Sequence, residues 1–343
     1  MRPLALRRIG LRVEDFDAAR RFYAGPWGLE ELAETAERTD VAALRATGPE
    51  HHVLQLRRAA PGAGNGIDHI AFAVATPADV DRWAERLAAH GVPLVADPGP
   101  LPGPGGGYGL RLRDPERRVV ELSAEVEAVP PRPAEPSRPH KLAHVVLNTT
   151  EIDAACAWWC DVLGLRVSDW SEHQMVFLRT NADHHVIAFN QGEWASLNHV
   201  AYEVGSLDGF MRAQGRLRHH GTTPAWGPGR HGPGNNTFAY FVDPAGLVCE
   251  YTAEVAQVDE ATWQPRVWRR VPELSDLWGT AGPPSPDVRR HMAGRPDPGP
   301  DPDPASDPDP APAGSATRPD PAADPGPTAG LAADLRPGPG TAP

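Results

Sequence analysis

The chain repeats itself. "DHIAFAV" from Asp68 returns as "NHVAYEV" from Asn198, and "RLRDPERRVVELSAEVE" from Arg111 returns as "YFVDPAGLVCEYTAEVA" from Tyr240. "RIGLRVEDFDAARRFYAGPWGLE" from Arg8 lines up in the same way with "HVVLNTTEIDAACAWWCDVLGLR" from His144. The offset stays near 130 residues throughout, which marks a tandem duplication rather than shared composition. Any fold for this chain must therefore be built from two like halves.

Each half divides again. "EIDAACAWWCDVLG" carries apolar residues at helical spacing and stops at Gly164. The short runs "QMVFLRT" and "HHVIAFN" that follow alternate as strands do, and "LDGFMRAQGRLRHHG" after "NHVAYEV" is a second helix ending at glycine. The unit is a strand, a helix and three strands, used four times. The expected class is α+β, with four βαβββ modules.

Composition marks the boundaries. "VPPRPAEPSRPH", residues 129–140, reads as a proline-stiffened linker between a first domain at 1–128 and a second at 141–282. Residues 283–343 are dominated by Asp, Pro, Gly and Ala, too poor in large apolar side chains to offset the entropy of ordering, and are expected to be a disordered tail. "WQPRVWRRVPELSDLWG", just before it, is aromatic enough to pack back on the second domain.

Several function classes are excluded at this level. The formal charge of -12 argues against a nucleic-acid partner, which calls for a basic face. No apolar run approaches the roughly 20 residues of a membrane span, and the start lacks the pattern of a secretory signal. Three cysteines, Cys156, Cys160 and Cys249, are too few and too odd for a disulfide framework, so a cytoplasmic location is expected. Cys156 and Cys160, one helical turn apart, read as core. "GPGGGYG" (103–109) has no Lys-Ser/Thr helix after it and is not a phosphate loop.

Three residues fall at corresponding places in the repeat. His144 lies in the first strand of the third unit, His199 in the first strand of the fourth, and Glu250 in its last strand. A lone histidine or glutamate in a strand usually packs or faces solvent. Three at matching ends of a repeated unit can converge, and two imidazoles with one carboxylate form the facial triad of non-haem Fe(II) oxygenases, which leaves coordination positions open. The first half supplies an internal control: His69 matches His199 and Glu121 matches Glu250, but Arg8 stands in place of His144. Arginine does not give up its proton to become a ligand, so the first half is expected to have lost its metal.

With these motifs in hand, residues 8 to about 280 resemble a two-domain type I extradiol ring-cleavage dioxygenase of the vicinal oxygen chelate superfamily. "HVVLNT", "NHVAYEV" and "VCEYTAE" in order, with a degenerate first domain, carry the resemblance. It implies two vicinal oxygen chelate domains, with Fe(II) held by His144, His199 and Glu250 in the second only; Mn(II) suits the same ligands. The implied partners are a catechol and O2, with cleavage beside rather than between the two hydroxyls, and the implied assembly is a homo-oligomer. By position, His185 matches the histidine beside the oxygen site, with His184 as its competitor, since alternation turns only one of the two inward. His231 and Tyr240 match the residues that hydrogen-bond the catechol hydroxyls. Biphenyl-type members carry an Asn-Asp pair where this chain has Pro233 and Gly234, so "HGPGNN" fits other substituted catechols better.

Two other functions share this fold. Glyoxalase-like isomerases use four protein ligands, and aligning "VIAF" with "VCEY" places Ala188 at the fourth position. Antibiotic-binding proteins of the fold sequester small molecules without a catalytic metal, and have no need of the triad together with His185, His231 and Tyr240.

Overall fold

A computed structural model describes residues 1–133 and 135–297. The first module runs β1 (Ala5–Val13), α1 (Phe16–Ala24), β2 (Glu30–Glu31), β3 (Val41–Arg45) and β4 (Leu54–Arg58). The second runs β5 (Gly66–Ala73), α2 (Pro77–Ala89), β6 (Leu94–Pro100), β7 (Tyr108–Arg113) and β8 (Val119–Ala124). The third runs β9 (Pro139–Thr149), α3 (Ile152–Asp161), β10 (Arg166–Ser171), β11 (Met175–Arg179) and β12 (Ile187–Gln191). The fourth runs β13 (Ser196–Val204), α4 (Leu207–His219), β14 (Trp226–Arg230), β15 (Thr237–Val242) and β16 (Val248–Ala253), and is followed by β17 (Arg266–Trp268), α5 (Pro272–Ser275) and α6 (Pro286–Ala293). The expected strand-helix-three-strand unit is present four times.

Modules pair through their first strands. β1 and β5 run antiparallel at the centre of one sheet, β9 and β13 at the centre of the other. Each central strand also pairs in parallel with the last strand of its own module, giving the orders β2-β3-β4-β1-β5-β8-β7-β6 and β14-β15-β16-β13-β9-β12-β11-β10-β17. β9 begins at Pro139, so the last two residues of the proline-rich 129–140 stretch already belong to a strand.

Side-chain alternation sorts each strand between two environments. Val145 and Leu147 of β9, Val200 and Tyr202 of β13, Ala239 and Phe241 of β15, and Cys249 and Tyr251 of β16 all join the main core under the helices. Their neighbours in sequence, His144, His199, Tyr240 and Glu250, face the other way and are buried too. Strands covered on both faces lose the clean polar-apolar alternation, which is why "HVVLNT" reads as nearly continuous hydrophobicity. The core is shared by both halves: Trp27 from the first stacks on Tyr251 of the second at 4.0 Å, and Arg216 donates to Trp27 O at 3.0 Å.

One expectation is corrected. The composition places the start of the tail at residue 283, but a helix follows that point. Ser285 accepts from Val288 N at 3.3 Å as the cap of α6, Val288 is buried, and Ala293 O accepts from Ser196 Oγ at 2.8 Å. The Asp-Pro repeat starts only after Gly294; before it, a cap and two apolar residues, Val288 and Met292, suffice for a short docked helix. Residues 298–343, the rest of the expected tail, lie outside the described residues.

Candidate metal centre

Three strands of the second sheet bring their inward residues together. His144 Nε2 and His199 Nε2 each lie 3.1 Å from Glu250 Oε2, and one ligand atom from each residue falls within 4.8 Å of the others. Glu250 Oε1 is buried and has no hydrogen-bond partner, a costly arrangement for a polar atom unless something else engages it. A divalent cation fits this donor set. Burial alone would raise the pKa of Glu250, but its interactions with His144 and His199 hold it at about 2, so the carboxylate is ionised. Burial holds His199 below the usual histidine range, outweighing Glu250, so its ring is neutral and able to ligate. Its other nitrogen, Nδ1, lies 2.8 Å from Asn198 Oδ1, which fixes the proton there and turns the Nε2 lone pair to the cluster.

The remaining expected residues surround these ligands. The His185 ring lies 4.3 Å from that of His144, whereas His184 is turned away toward Asp169 and Trp263. Of the competing pair, the fold therefore brings His185 to the cluster. Burial, then the neighbouring histidines, push the His185 pKa well below its ordinary value. Tyr240 sits directly across the β15–β16 ladder from Glu250, and its Oη lies 2.9 Å from His231 Nε2. His231 Nδ1 donates to Ser275 O at 2.9 Å, which leaves Nε2 as the acceptor of the tyrosine proton. Burial, then the charge of Glu250, raise the Tyr240 pKa well above 10.

The glycine-rich loop over the cluster has a steric reason. Gly234 has φ +76°, and a Cβ there would come within 3.2 Å of His185 Cε1 and 2.9 Å of Asn236 Oδ1. Only a residue without a side chain lets the backbone pass this close in this conformation. Aromatic contacts fix the rings: Phe238 stacks on His231 at 4.0 Å and Trp226 on Tyr240 at 5.0 Å. Ala188 faces the cluster from β12 beside Val146 and Phe177 and has no donor atom. Among the described residues the ligand set stops at three.

The first sheet holds the same scaffold with a different filling. Arg8 Nε lies 3.2 Å from His69 Nε2, and Arg8 Nη2 pairs with Glu121 Oε1, while Arg111 takes the other carboxylate oxygen at 2.8 Å. Burial would raise the Glu121 pKa, but Arg8, His69 and Arg111 hold it at about 2. A guanidinium neutralises the carboxylate that in the second sheet faces two imidazoles. Sequence reasoning missed the supporting residues Asn148, Asp169, Asn198 and Ser275. Asn198 alone left a signal, since a polar residue precedes the histidine in both "DHIAF" and "NHVAY".

Paired βαβββ modules around a cluster of two histidines and one glutamate that could hold a metal ion have the architecture of the vicinal oxygen chelate fold. Residues 5–122 and 141–251 match the model of the Glyoxalase/Bleomycin resistance protein/Dioxygenase superfamily, and the chain belongs to that family. It is 29% identical over 273 residues to the manganese-dependent 2,3-dihydroxybiphenyl 1,2-dioxygenase of Geobacillus genomosp. 3, covering 72% of this chain and 84% of that one. It is also 29% identical over 194 residues to metapyrocatechase 2 of Cupriavidus necator, a match that spans 50% of this chain and 59% of that protein. Among solved structures, the Mn(II)-bound glyoxalase from Novosphingobium aromaticivorans is 42% identical, with a TM-score of 0.78 over 84% of this chain and 94% of the other. No helix of the described residues is long and apolar enough to cross a membrane.

Proposed function

We propose that the chain is a cytoplasmic extradiol dioxygenase that uses Fe(II) to cleave a substituted catechol with O2, giving a ring-opened semialdehyde or keto acid. The observation that carries this reading is the three-ligand cluster with His185 on one side and the His231–Tyr240 pair on the other. Fe(II) or Mn(II) held by His144, His199 and Glu250 would supply the positive charge that favours the catecholate and the open positions for catechol and O2. The names of the two dioxygenase relatives, and the manganese in one of them, agree with a vicinal aromatic diol and with either metal.

The protein's own groups divide the remaining work. Tyr240 places a hydroxyl beside the ligands and, backed by His231 Nε2, can accept or donate a hydrogen bond at one catechol oxygen. His231 is held by Ser275 O and orients the substrate through Tyr240. His185, whose ring lies 4.3 Å from that of His144, is the side chain placed to exchange a proton with the diol.

A glyoxalase-like isomerase is the second reading, favoured by the name of the 42% identical neighbour. Ala188 weighs against a four-ligand site of that kind, because it offers no donor atom from β12. Anaerobic loading with Fe(II), then oxygen with a panel of substituted catechols, separates the two. A yellow ring-opened product with matching O2 uptake is expected. No uptake with any catechol, metal shown bound, and turnover of a hemithioacetal instead would establish the isomerase.

A further inference from the structure

The second histidine of the "HH" pair, left out of the site above, has its own hydrogen-bond partners. His184 Nε2 lies 3.0 Å from Asp169 Oδ2, and His184 Nδ1 lies 3.1 Å from His185 Nδ1. Asp169 is itself buried and fully engaged: Trp268 Nε1 donates to Oδ2 at 2.7 Å and the Arg266 N–H to Oδ1 at 2.8 Å. Both donors come from β17, the edge strand added after the last module, which pairs in parallel with β10 at Asp169. The chain thus spends part of its C-terminal extension on securing one carboxylate.

This arrangement dictates where the protons are. An ionised carboxylate only accepts, so His184 must present N–H at Nε2. A neutral imidazole has a single N–H. In the neutral His184 ring that one proton is spent on Asp169 Oδ2. His184 Nδ1 is then a lone pair, and the short contact to His185 Nδ1 is a hydrogen bond only if His185 carries its proton on Nδ1. That leaves His185 Nε2 unprotonated. We propose that Asp169 and His184 are positioning residues that fix His185 as the Nδ1–H tautomer, with Nε2 held as the free base of the site.

The first half carries the same three-part arrangement. His51 Nδ1 lies 3.0 Å from His52 Nδ1, and His51 Nε2 lies 3.2 Å from Glu34 Oε1. The ring pairs agree in geometry, with centroids 5.3 Å apart in both and interplanar angles of 82° and 88°. The acids differ: the Glu34 side chain is 44% exposed, the Asp169 side chain 1%. Of the two arrangements, the one with the buried carboxylate and its added tryptophan and backbone donors is the one beside the His-His-Glu cluster, where the tautomer of the inner histidine has a use.

The part this plays in turnover rests on the catechol reading above; the tautomer itself does not. The test is two-bond 1H–15N spectroscopy of the histidine rings in the full-length chain, loaded with Zn(II) as a diamagnetic stand-in, with kinetics on the Fe(II) form. In the wild type His185 should show a protonated Nδ1 and a bare Nε2. Asp169→Asn brings an N–H where the carboxylate accepted, and His184→Phe removes the acceptor at Nδ1; both should shift His185 toward the Nε2–H form. Both should lower kcat about 10- to 100-fold, in the range of outer-shell partners, with metal content and KM unchanged. His184→Asn, which keeps a carbonyl oxygen near the position of Nδ1, should recover part of kcat. Should Asp169→Asn fail to fold, the two His184 variants decide. An Nε2–H tautomer of His185 in the wild type, a doubly protonated His184, or variants that leave the His185 spectrum unchanged would overturn the proposal. If the wild type leaves every catechol untouched while the Asp169-dependent tautomer is seen, the positioning stands and the catechol reading falls.

Discussion

The guanidinium of Arg8 pairs with the buried carboxylate of Glu121, in the place that the His144 imidazole takes beside Glu250. One half of the molecule thus balances its buried carboxylate with a permanent cation, the other sets it beside two imidazoles suited to a metal. Arg8→Ala should leave Glu121 with Arg111 as its remaining guanidinium and cost about 3 kcal/mol, the lower end for breaking a buried pair. Arg8→His restores the missing donor next to His69 and Glu121. It should lower the stability of the metal-free protein and let the chain bind a second equivalent of Mn(II), read by elemental analysis and by recovery of Tm with metal.

Removal of the ligands should act on the metal first. Glu250→Gln or His144→Ala takes away a donor from a three-ligand set, and the purified protein should lose bound Fe(II) or Mn(II) along with activity. A chelator should do the same to the wild type, with activity returning on adding back metal and Tm rising with metal concentration, since binding to the folded state alone stabilises it.

Residues around the ligands should behave differently. Tyr240→Phe removes the hydroxyl that His231 Nε2 accepts, and His185→Ala removes the neutral ring beside His144. Each should keep its metal and lose turnover by about 10²- to 10⁴-fold, the usual range for a positioned acid or base. Equal loss of metal in these variants would show that they hold the ion rather than act on the substrate.

How far the sequence reached follows from what periodicity encodes. The repeat located the strands, but Tyr240 and Glu250 lie on two strands joined by a turn, and it is the β15–β16 register rather than their even separation that makes them cross-strand neighbours. The "HH" pair was ambiguous because alternation says that the two part company but not which one turns inward. Asp169 and Asn148 left no trace, since each is an ordinary polar residue in a strand whose meaning comes from partners far along the chain. Helix α6 was hidden by its neighbourhood, eight residues in front of a long Asp-Pro repeat.

That helix reaches the metal site through side-chain amides. His199 Nδ1 bonds to Asn198 Oδ1, Asn198 Nδ2 donates to Asn148 Oδ1 at 2.9 Å, and Asn148 Nδ2 donates to Met292 O at 2.8 Å. Truncation after Gly282 leaves Asn148 without that acceptor and frees Asn198 to turn. Metal affinity, measured by competition with a chelator, should fall about 10- to 100-fold for the truncation and for Asn198→Ala, while Trp194→Phe, which loses only an outer contact to Ala293, should change little.

Stability should also fall with pH in a defined window. His52, His185 and His231 are buried, and burial, the largest cause for each, lowers their pKa values from 6.5. Above about pH 6.5 both folded and unfolded chains hold these rings neutral, and their contribution is fully present. Below it the unfolded chain takes up protons that the folded chain refuses, so stability drops by up to about 1.4 kcal/mol per pH unit for each ring. Glu121 and Glu250, held at about 2 against 4.5, have the same sign but a lower window, losing their contribution only as pH falls from 4.5 toward 2. Urea midpoints of the metal-free protein should therefore be flat above pH 7, fall between pH 6.5 and 5, and fall further below 4.5. His52→Asn lies outside the candidate centre and should make the middle segment shallower without changing metal content, which ties the slope to buried rings rather than to loss of the ligands.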